Sequence, residues 1–274
     1  MKTLHNHVIL YDAECPMCNL YTGAFVRSGM LGADGRESYQ QFTGAACPNL
    51  DWQRAVNEIA LINRATGEVS YGIESLLKVC ANASPALGFL FRWKPMLWLA
   101  RKAYAFISYN RRVIVPAPVS VDSFGFQPTF KIQYRLAWLL FTWALTAYIL
   151  TAYTKLLNGY IPSGEAWREY LICGGQILFQ GAVIFAYRRR VAWDYLGNMM
   201  TVSLAGALVL YALLIIGVWL KLSFMTYGLC VMPVVFLMLL EHLRRCKLLG
   251  LGYLMSASWV FYRLIVLAIL LKGI

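Results

Sequence analysis

The chain has 274 residues, of which 59% are apolar and only 14% are charged, against about 25% charged residues in an average soluble domain. This composition, with a mean hydropathy of +0.56, excludes a disordered chain, a coiled coil, a collagen-like fibre and a small disulfide scaffold. The length suggests about two domains, and the apolar excess suggests that one of them lies in lipid.

The net charge of +12 is distributed unevenly along the chain. Residues 1–130 have 12 Lys/Arg and 9 Asp/Glu, a net charge of +3, whereas residues 131–274 have 13 Lys/Arg and 4 Asp/Glu, a net charge of +9. Since the apolar residues also concentrate in the second half, the basic excess indicates the cytoplasmic loops of a membrane domain rather than nucleic-acid binding. We expect no nucleic-acid partner.

The N-terminal part of the sequence predicts an α+β domain. A short buried strand over 7–12 leads into Cys15-Pro16-Met17-Cys18 and a helix to about Ser28. The segment 29–57 is predicted to be irregular, with one short helix near its end. A hairpin of two strands over 58–71 and a helix over 73–81 follow.

The second part predicts an all-α membrane domain over 131–274, joined to the domain at 1–112 by a linker over 113–130 that contains three prolines. Five apolar stretches each come close to the roughly 20 residues that span a bilayer as a helix. They lie at about 134–156, 169–187, 199–220, 224–241 and 253–271. We therefore expect about five transmembrane helices.

The connections between these stretches predict an orientation. Eight basic residues lie on one side of the membrane and four on the other. By the positive-inside rule, the first side is cytoplasmic. With no secretory signal before the first strand, we expect the N-terminal domain in the cytoplasm of a bacterial cell, the helices in its inner membrane and Ile274 outside.

The spacing of Cys15 and Cys18 favours redox chemistry. A helix N-terminus stabilises a thiolate, so the pKa of Cys15 would fall and its sulfur would attack a partner disulfide, which Cys18 would then resolve. Two alternatives are half of a zinc site and a pair of inert core cysteines. A zinc site needs two more ligands, and Cys47 and Cys80 are isolated in the sequence. We expect no bound cofactor or metal.

Asp12, three residues before Cys15, has two interpretations. Its carboxylate could accept the proton of Cys18 during the second attack, if burial raises its pKa. Alternatively, it is a turn or capping residue at the start of the helix.

The run from Tyr11 to Asn19 resembles the signature of the DCC family of thiol-disulfide oxidoreductases, whose motif is D-x-x-C-x-x-C. The similarity continues through 71–76 and 102–111, where Asn110-Arg111 ends a closing segment, and covers about 40% of the chain. The resemblance implies a thioredoxin-like fold, dithiol–disulfide exchange and a protein partner with a thiol or disulfide. The sequence departs from thioredoxins in one respect: Tyr71-Gly72 occupies the region of their cis-proline.

A basic and aromatic segment follows this domain. Its residues suit a helix lying on anionic lipid, and they also suit a packed helix with a solvated basic face. The residues that we expect at the membrane surface are Arg92, Lys94, Trp98, Arg101, Lys102, Arg111 and Arg112.

Three residues of the membrane half are further candidates. Arg263 falls near the middle of the fifth stretch, where a charge is costly and therefore suggests a function: binding of backbone carbonyls, a lipid headgroup or an anionic substrate. Cys173 and Cys230 suggest an electron relay across the membrane, or simply small packing residues. Two functions remain open: a membrane-anchored oxidoreductase, or a non-catalytic subunit or assembly factor that docks other membrane subunits through its redox domain.

Overall fold

The computed structural model of the chain describes residues 2–42, 49–84, 88, 93–118, 125–157 and 164–271. The chain divides into two compact units, Met1–Tyr134 and Arg135–Ile274. The structure thus combines a small α+β unit with a helical one, as the sequence predicts.

The first unit ends later than the sequence predicts. The segment 113–130 is expected to be a linker, but its described parts, 113–118 and 125–130, belong to the first unit, and Val113 and Ile114 are helical. The Thr129 N–H donates to Asn57 Oδ1 at 2.7 Å, which fixes this segment to the α+β unit. Residues 119–124 lie outside the described part of the chain.

The first unit contains one four-stranded sheet. Its strands are β1 His7–Tyr11, β2 Arg36–Ser38, β3 Ala60–Asn63 and β4 Val69–Tyr71. The strand order is β2-β1-β3-β4, with β1 parallel to β2 and with β3 antiparallel to both β1 and β4. The ends of β1, β2 and β4 therefore lie at the same edge as the start of β3.

Two helices connect strands of this sheet, and two follow its last strand. They are α1 Pro16–Arg27, α2 Trp52–Asn57, α3 Ile73–Ala83 and α4 Lys94–Ile114. The predicted first strand, the helix after the cysteines, the hairpin and the helix α3 are confirmed to within a few residues. The strand β2 was not predicted, because its three residues are polar and it owes its place to parallel pairing with β1.

Both faces of the sheet are covered by apolar side chains. Val8 and Leu10 of β1 pack with Val56 of α2 on one face. On the other face, Ile9 packs in a cluster with Val79 of α3. The alternation of β1 residues between the two faces follows from the period of a strand, and each fully buried aliphatic side chain contributes about 1.5–3 kcal/mol.

The second unit consists of helices that match the predicted apolar stretches. They are α5 Ile132–Thr154, α6 Arg168–Arg188, α7 Ala192–Leu220, α8 Phe224–Leu248 and α9 Leu254–Leu271. Four continuous helical segments of the described chain are long and apolar enough to cross a membrane. One of the four is the 53-residue run from α6 through α7.

That long run is a hairpin of two helices. Arg188 has φ −154° and ψ 73°, which breaks the helical backbone. Beyond the break, the Tyr195 hydroxyl donates to Gln180 Oε1 at 2.7 Å, although 15 residues of straight helix would separate the two by about 22 Å. The chain therefore folds back on itself, and α6 and α7 lie side by side.

The basic connections of the second unit lie at one end of its helices. Arg135 at the start of α5 pairs with Asp194 at the start of α7, with Nη2 and Oδ1 3.2 Å apart. Arg188 at the end of α6 donates to the Gly250 carbonyl, which lies between α8 and α9, at 2.7 Å. Three connections that are separate in sequence thus meet at one basic end.

Close packing of α7 against α8 depends on glycine. A Cβ at Gly206 would overlap the Met238 side chain, and a Cβ at Gly217 would overlap the Tyr227 ring. Small residues that let neighbouring helices approach are a common means of packing in lipid, where the hydrophobic effect does not drive helices together.

Gly72, between β4 and α3, gives a prediction for the first unit. Its φ of +60° and ψ of −133° are unfavourable for any other residue, and a Cβ would lie 2.8 Å from Glu58 Oε2. We expect Gly72→Ala to lower the free energy of unfolding of this unit by about 1–3 kcal/mol. Hydrogen exchange of the hairpin amides in the full chain measures this loss.

Gly67→Ala is the matched control for Gly72→Ala, because Gly67 also has a positive φ, +71°, but nothing within 4 Å of its Cβ position. Its exchange rates should change less. Equal effects of the two substitutions would contradict the close approach at Gly72.

Candidate functional site

The candidate site lies at the sheet edge where β1, β2 and β4 end and β3 begins. Asp12 and Cys15 follow β1, and Gln40 follows β2. Arg111, near the C-terminus of α4, extends to the same edge, since it donates to Asp12 Oδ2 at 3.1 Å. Residues that are 99 positions apart thus form one cluster.

Cys15 caps the helix α1. Its backbone is extended, with φ −94° and ψ 107°, and its Sγ accepts a hydrogen bond from the Cys18 N–H at 3.3 Å. Pro16 occupies the first turn, where the helix has no use for its missing N–H. The sulfur of Cys15 therefore takes the place that a serine or aspartate oxygen has in most helix caps.

Several hydrogen-bond donors and two arginines surround the Asp12 carboxylate. Oδ1 accepts from the Glu14 N–H at 3.1 Å and from Gln40 Nε2 at 2.9 Å. Oδ2 accepts from Arg111 at 3.1 Å, and Arg112 lies 4.0 Å from it. The hydrogen bond to Glu14 is the turn that one interpretation of Asp12 predicts; the role as proton acceptor stays a prediction.

Arg111 requires a correction. The sequence places it among the membrane-surface residues, but its side chain is only 6% exposed. Its guanidinium pairs with Asp12 and donates to the carbonyls of Val56 at 2.8 Å and Asn57 at 3.2 Å. These carbonyls end α2 and have no partner within the helix. Burial of the charge is possible because the carboxylate and these carbonyls accept from Nη1 and Nη2; Nε has no hydrogen-bond partner among the described residues.

The signal that could have found Arg111 was in the sequence. Asn110-Arg111 ends the segment that is expected to belong to the first domain, and a helical residue that faces the interior of a domain cannot also face lipid. Helix periodicity alone gives no partner for a buried arginine, because Asp12 lies far away in the sequence.

The pKa of the Cys15 thiol is lowered to about 7. The hydrogen bond from the Cys18 thiol is the largest cause, and burial of Cys15 opposes it. The charge of Arg111 and the Cys18 N–H also lower the pKa, whereas the charge of Asp12 raises it. At neutral pH, a large fraction of Cys15 is therefore the nucleophilic thiolate.

The pKa of the Cys18 thiol moves in the opposite direction. Its hydrogen bond to Cys15 and its burial both raise the pKa, while the charge of Arg111 lowers it. Tyr21 of α1 also hydrogen-bonds to Cys18, and burial raises the pKa of this tyrosine as well. The pair thus consists of one thiolate and one thiol, which suits an attacking and a resolving cysteine.

Five of the other predicted surface residues lie on α4. Lys94, Arg101 and Lys102 are exposed, and Trp98 keeps 60% of its surface in solvent. Arg112 is partly exposed and reaches toward the site; Arg92 lies outside the described residues.

The remaining cysteines form no disulfide among the described residues. Cys173 is buried in α6, Cys230 is partly buried in α8, and Cys47 lies outside the described part of the chain. Within that part, no three His, Cys, Asp or Glu side chains gather in a way that could hold a metal ion.

Comparison of the chain with family models, with curated proteins and with solved structures finds no match.

The charge of Arg111 gives a prediction for the reactivity of Cys15. In Arg111→Met, the pKa of Cys15 should rise, and alkylation of Cys15 at pH 7 should slow about fivefold or more. The measurement is the rate of iodoacetamide labelling of Cys15 against pH, followed by mass spectrometry on the full chain. The wild type should reach half its maximal rate near pH 7.

Arg101→Met on the same helix is the control, because Arg101 is exposed and pairs with Glu74. It should leave the pH profile unchanged. If Arg111→Met fails to fold because Asp12 is left unpaired, the double variant Asp12→Asn/Arg111→Met removes both charges. Identical profiles in all variants would show that Arg111 does not stabilise the thiolate.

Proposed function

We propose that the chain is a membrane-anchored thiol-disulfide oxidoreductase that acts through Cys15 and Cys18. The observation that carries the proposal is the pairing of a helix-capping Cys15, with a pKa lowered to about 7, and a buried Cys18 thiol one turn away. The charge of the buried Arg111 acts on both thiols, and inert core cysteines do not require such a charge.

The proposed reaction transfers two electrons from the cysteine pair to a partner disulfide. The Cys15 thiolate attacks one sulfur of the partner, which forms a mixed disulfide and releases the other sulfur as a thiolate. The Cys18 thiol then loses its proton and attacks Cys15 Sγ. The second partner thiolate leaves, and the Cys15–Cys18 disulfide remains. Asp12 is the proposed acceptor of the Cys18 proton.

A thioredoxin-like fold for the first unit is part of the proposal. The order of elements from β1 to α3, the parallel pair β1–β2 and the antiparallel pair β3–β4 support it. The position of the cysteines directly after β1 supports it as well, since α1 begins at Pro16. We infer that this unit resembles the DCC family in fold as in motif.

We infer that the first unit lies in the cytoplasm and that the helices cross the bacterial inner membrane. The gathering of Arg135, Arg188 and the α8–α9 connection at one basic end supports this orientation. In a reducing cytoplasm, the cysteine pair would rest as a dithiol and act as a reductant. Ile274, expected outside, is beyond the described residues.

The exposed face of α4 would lie on anionic lipid. Lys94, Trp98 and Lys102 are spaced by four residues and share one face of the helix. Lys102 Nζ lies 5.9 Å from the centre of the Trp98 ring. Basic residues with an aromatic ring suit the headgroup region, at about 1 kcal/mol per basic residue near the surface.

A second function is favoured by the burial of the cysteines. Cys15 is only 4% exposed and Cys18 only 3%, so a partner disulfide needs a local opening to reach them. A non-catalytic subunit or assembly factor could use the same closed unit to dock a membrane complex, with no thiol exchange at all.

A trap for the mixed disulfide separates these two functions. In Cys18→Ser, the second attack is blocked, and a partner should stay bound to Cys15 through a disulfide. We expect a higher-mass species on non-reducing gels of membranes, and we expect a reductant to remove it.

Two controls define the outcome of the trap. Cys15→Ser/Cys18→Ser should give no higher-mass species, and Cys80→Ser/Cys18→Ser should give the same species as Cys18→Ser, because Cys80 lies in α3 away from the site. Lack of a trapped partner, with an unchanged stoichiometric complex in Cys15→Ser, would favour the docking function.

The orientation is tested with single cysteines at opposite ends of α8. Lys221 precedes this helix, and Lys247 is exposed near its end. In right-side-out vesicles, an impermeant maleimide should label Lys221→Cys and leave Lys247→Cys unlabelled, and inside-out vesicles should give the reverse. The opposite labelling pattern would place the cysteine pair outside.

A further inference from the structure

A cavity with a mixed aliphatic and polar lining lies within the helical unit. It has a volume of about 110 Å³ and receives residues from all five helices of the unit. Most of its lining is aliphatic, as expected for a membrane protein. The polar lining residues are Thr146, Cys173, Gln176, Ser203 and Arg263.

Polar atoms on four of these residues have no hydrogen-bond partner. Thr146 Oγ1, Gln176 Nε2, Ser203 Oγ and Arg263 Nε are all buried and unpartnered within the described residues. A buried polar group without a partner destabilises the folded protein, because it has lost its hydrogen bonds to water. Four such atoms around one cavity are the lining that a ligand or ordered water would satisfy.

The hydrogen-bonding chemistry of the four groups indicates the sign of the charge on the ligand. Arg263 and the Gln176 amide nitrogen can only donate hydrogen bonds, and the two hydroxyls can donate as well. Arg263 has no carboxylate partner in the described part of the chain; its guanidinium lies 4.6 Å from the centre of the Trp259 ring. Donors that converge around one unpaired positive charge favour an anion.

The depth of the cavity indicates whether the anion is part of a lipid headgroup or free. Arg263 is the tenth of the 18 residues of α9, which places it about 12 Å from the nearer end of the helix. A lipid headgroup stays at the surface of a hydrocarbon layer about 30 Å thick. A phosphate that belongs to a lipid therefore does not reach this depth, whereas a free anion can be enclosed there.

We propose that Arg263, Gln176, Ser203 and Thr146 form a binding site for one compact monovalent anion of the size of chloride or formate. The volume of about 110 Å³ corresponds to roughly three or four water molecules. This limit excludes larger organic anions. The site is separate from the cysteine pair and does not depend on the proposed redox function.

Anion-dependent unfolding of the purified full chain in detergent tests this proposal. Sodium chloride or sodium formate should raise the unfolding midpoint in a saturable manner. Sodium gluconate, which is too large for the cavity, should not raise it at the same ionic strength. The proposal is overturned if the three salts give the same midpoint, or if stabilisation requires phosphatidylglycerol and not a free anion.

Variants of the lining separate binding from a general salt effect. Arg263→Gln should weaken chloride binding by about tenfold or more, the value of one charge-assisted hydrogen bond. Arg244→Gln should leave it unchanged, because Arg244 is exposed and pairs with Glu241. If Arg263→Gln does not fold, Ser203→Ala should still weaken binding by about twofold to tenfold. Unchanged affinity in every lining variant would refute the site.

The position of Trp259 allows a second measurement. Bromide bound beside Arg263 would lie near this buried indole and should quench its fluorescence in a saturable manner. Trp259→Phe should remove the saturable component and leave the quenching of exposed tryptophans. If the wild type shows only linear quenching, bromide does not enter the site and the proposal is wrong.

Discussion

The ion pair between Asp12 and Arg111 joins the parts of the first unit that the candidate site requires. Arg111 connects the end of β1, through Asp12, to the end of α2, through the carbonyls of Val56 and Asn57. It does so from α4, which comes last in the unit. Removal of one partner would leave a buried charge without compensation, which typically costs about 3–5 kcal/mol. The positions of α2 and α4 at this edge of the sheet therefore depend on the ion pair.

The same pair sets the electrostatics at the cysteines, and its two charges act in opposite directions there. The charge of Arg111 lowers the pKa of Cys15 more than the charge of Asp12 raises it. Asp12 allows the arginine to be buried, and the arginine then favours the thiolate. The hydrogen bond from Cys18 adds a larger effect that exists only in the reduced state, since a disulfide has no thiol to donate. Reduction of the disulfide thus produces the Cys18 thiol, whose hydrogen bond stabilises the nucleophilic Cys15 thiolate.

The sequence predicts those elements whose signals are local. The short apolar run that contains Val8, Ile9 and Leu10 indicates β1, and the position of Cys15 and Cys18 directly after it indicates the start of α1. Features that depend on distant partners could not be predicted. The strand β2 is polar and exists because β1 lies beside it. Arginine is a residue type that usually lies at the surface, and only the fold, which brings Asp12 next to Arg111, accounts for its burial. In the helical unit, hydropathy locates the lipid-embedded part of α7 but not its polar first turns, which begin at Ala192.

Two arginines, Arg111 of the first unit and the partly buried Arg263 of the second, show why the surroundings of a charge determine its role. Arg111 donates to a carboxylate and to two helix-end carbonyls, so protein groups offset the desolvation of its charge. Arg263 lies against an aromatic ring and beside three further unpartnered donors. A purely structural arginine would have acquired acceptors such as those bonded to Arg111, whereas the unpartnered hydroxyls of Thr146 and Ser203 accept no hydrogen bond from Arg263. The lack of an acceptor bonded to Arg263 Nε, within the described chain, is therefore best explained by an acceptor that comes from outside the chain.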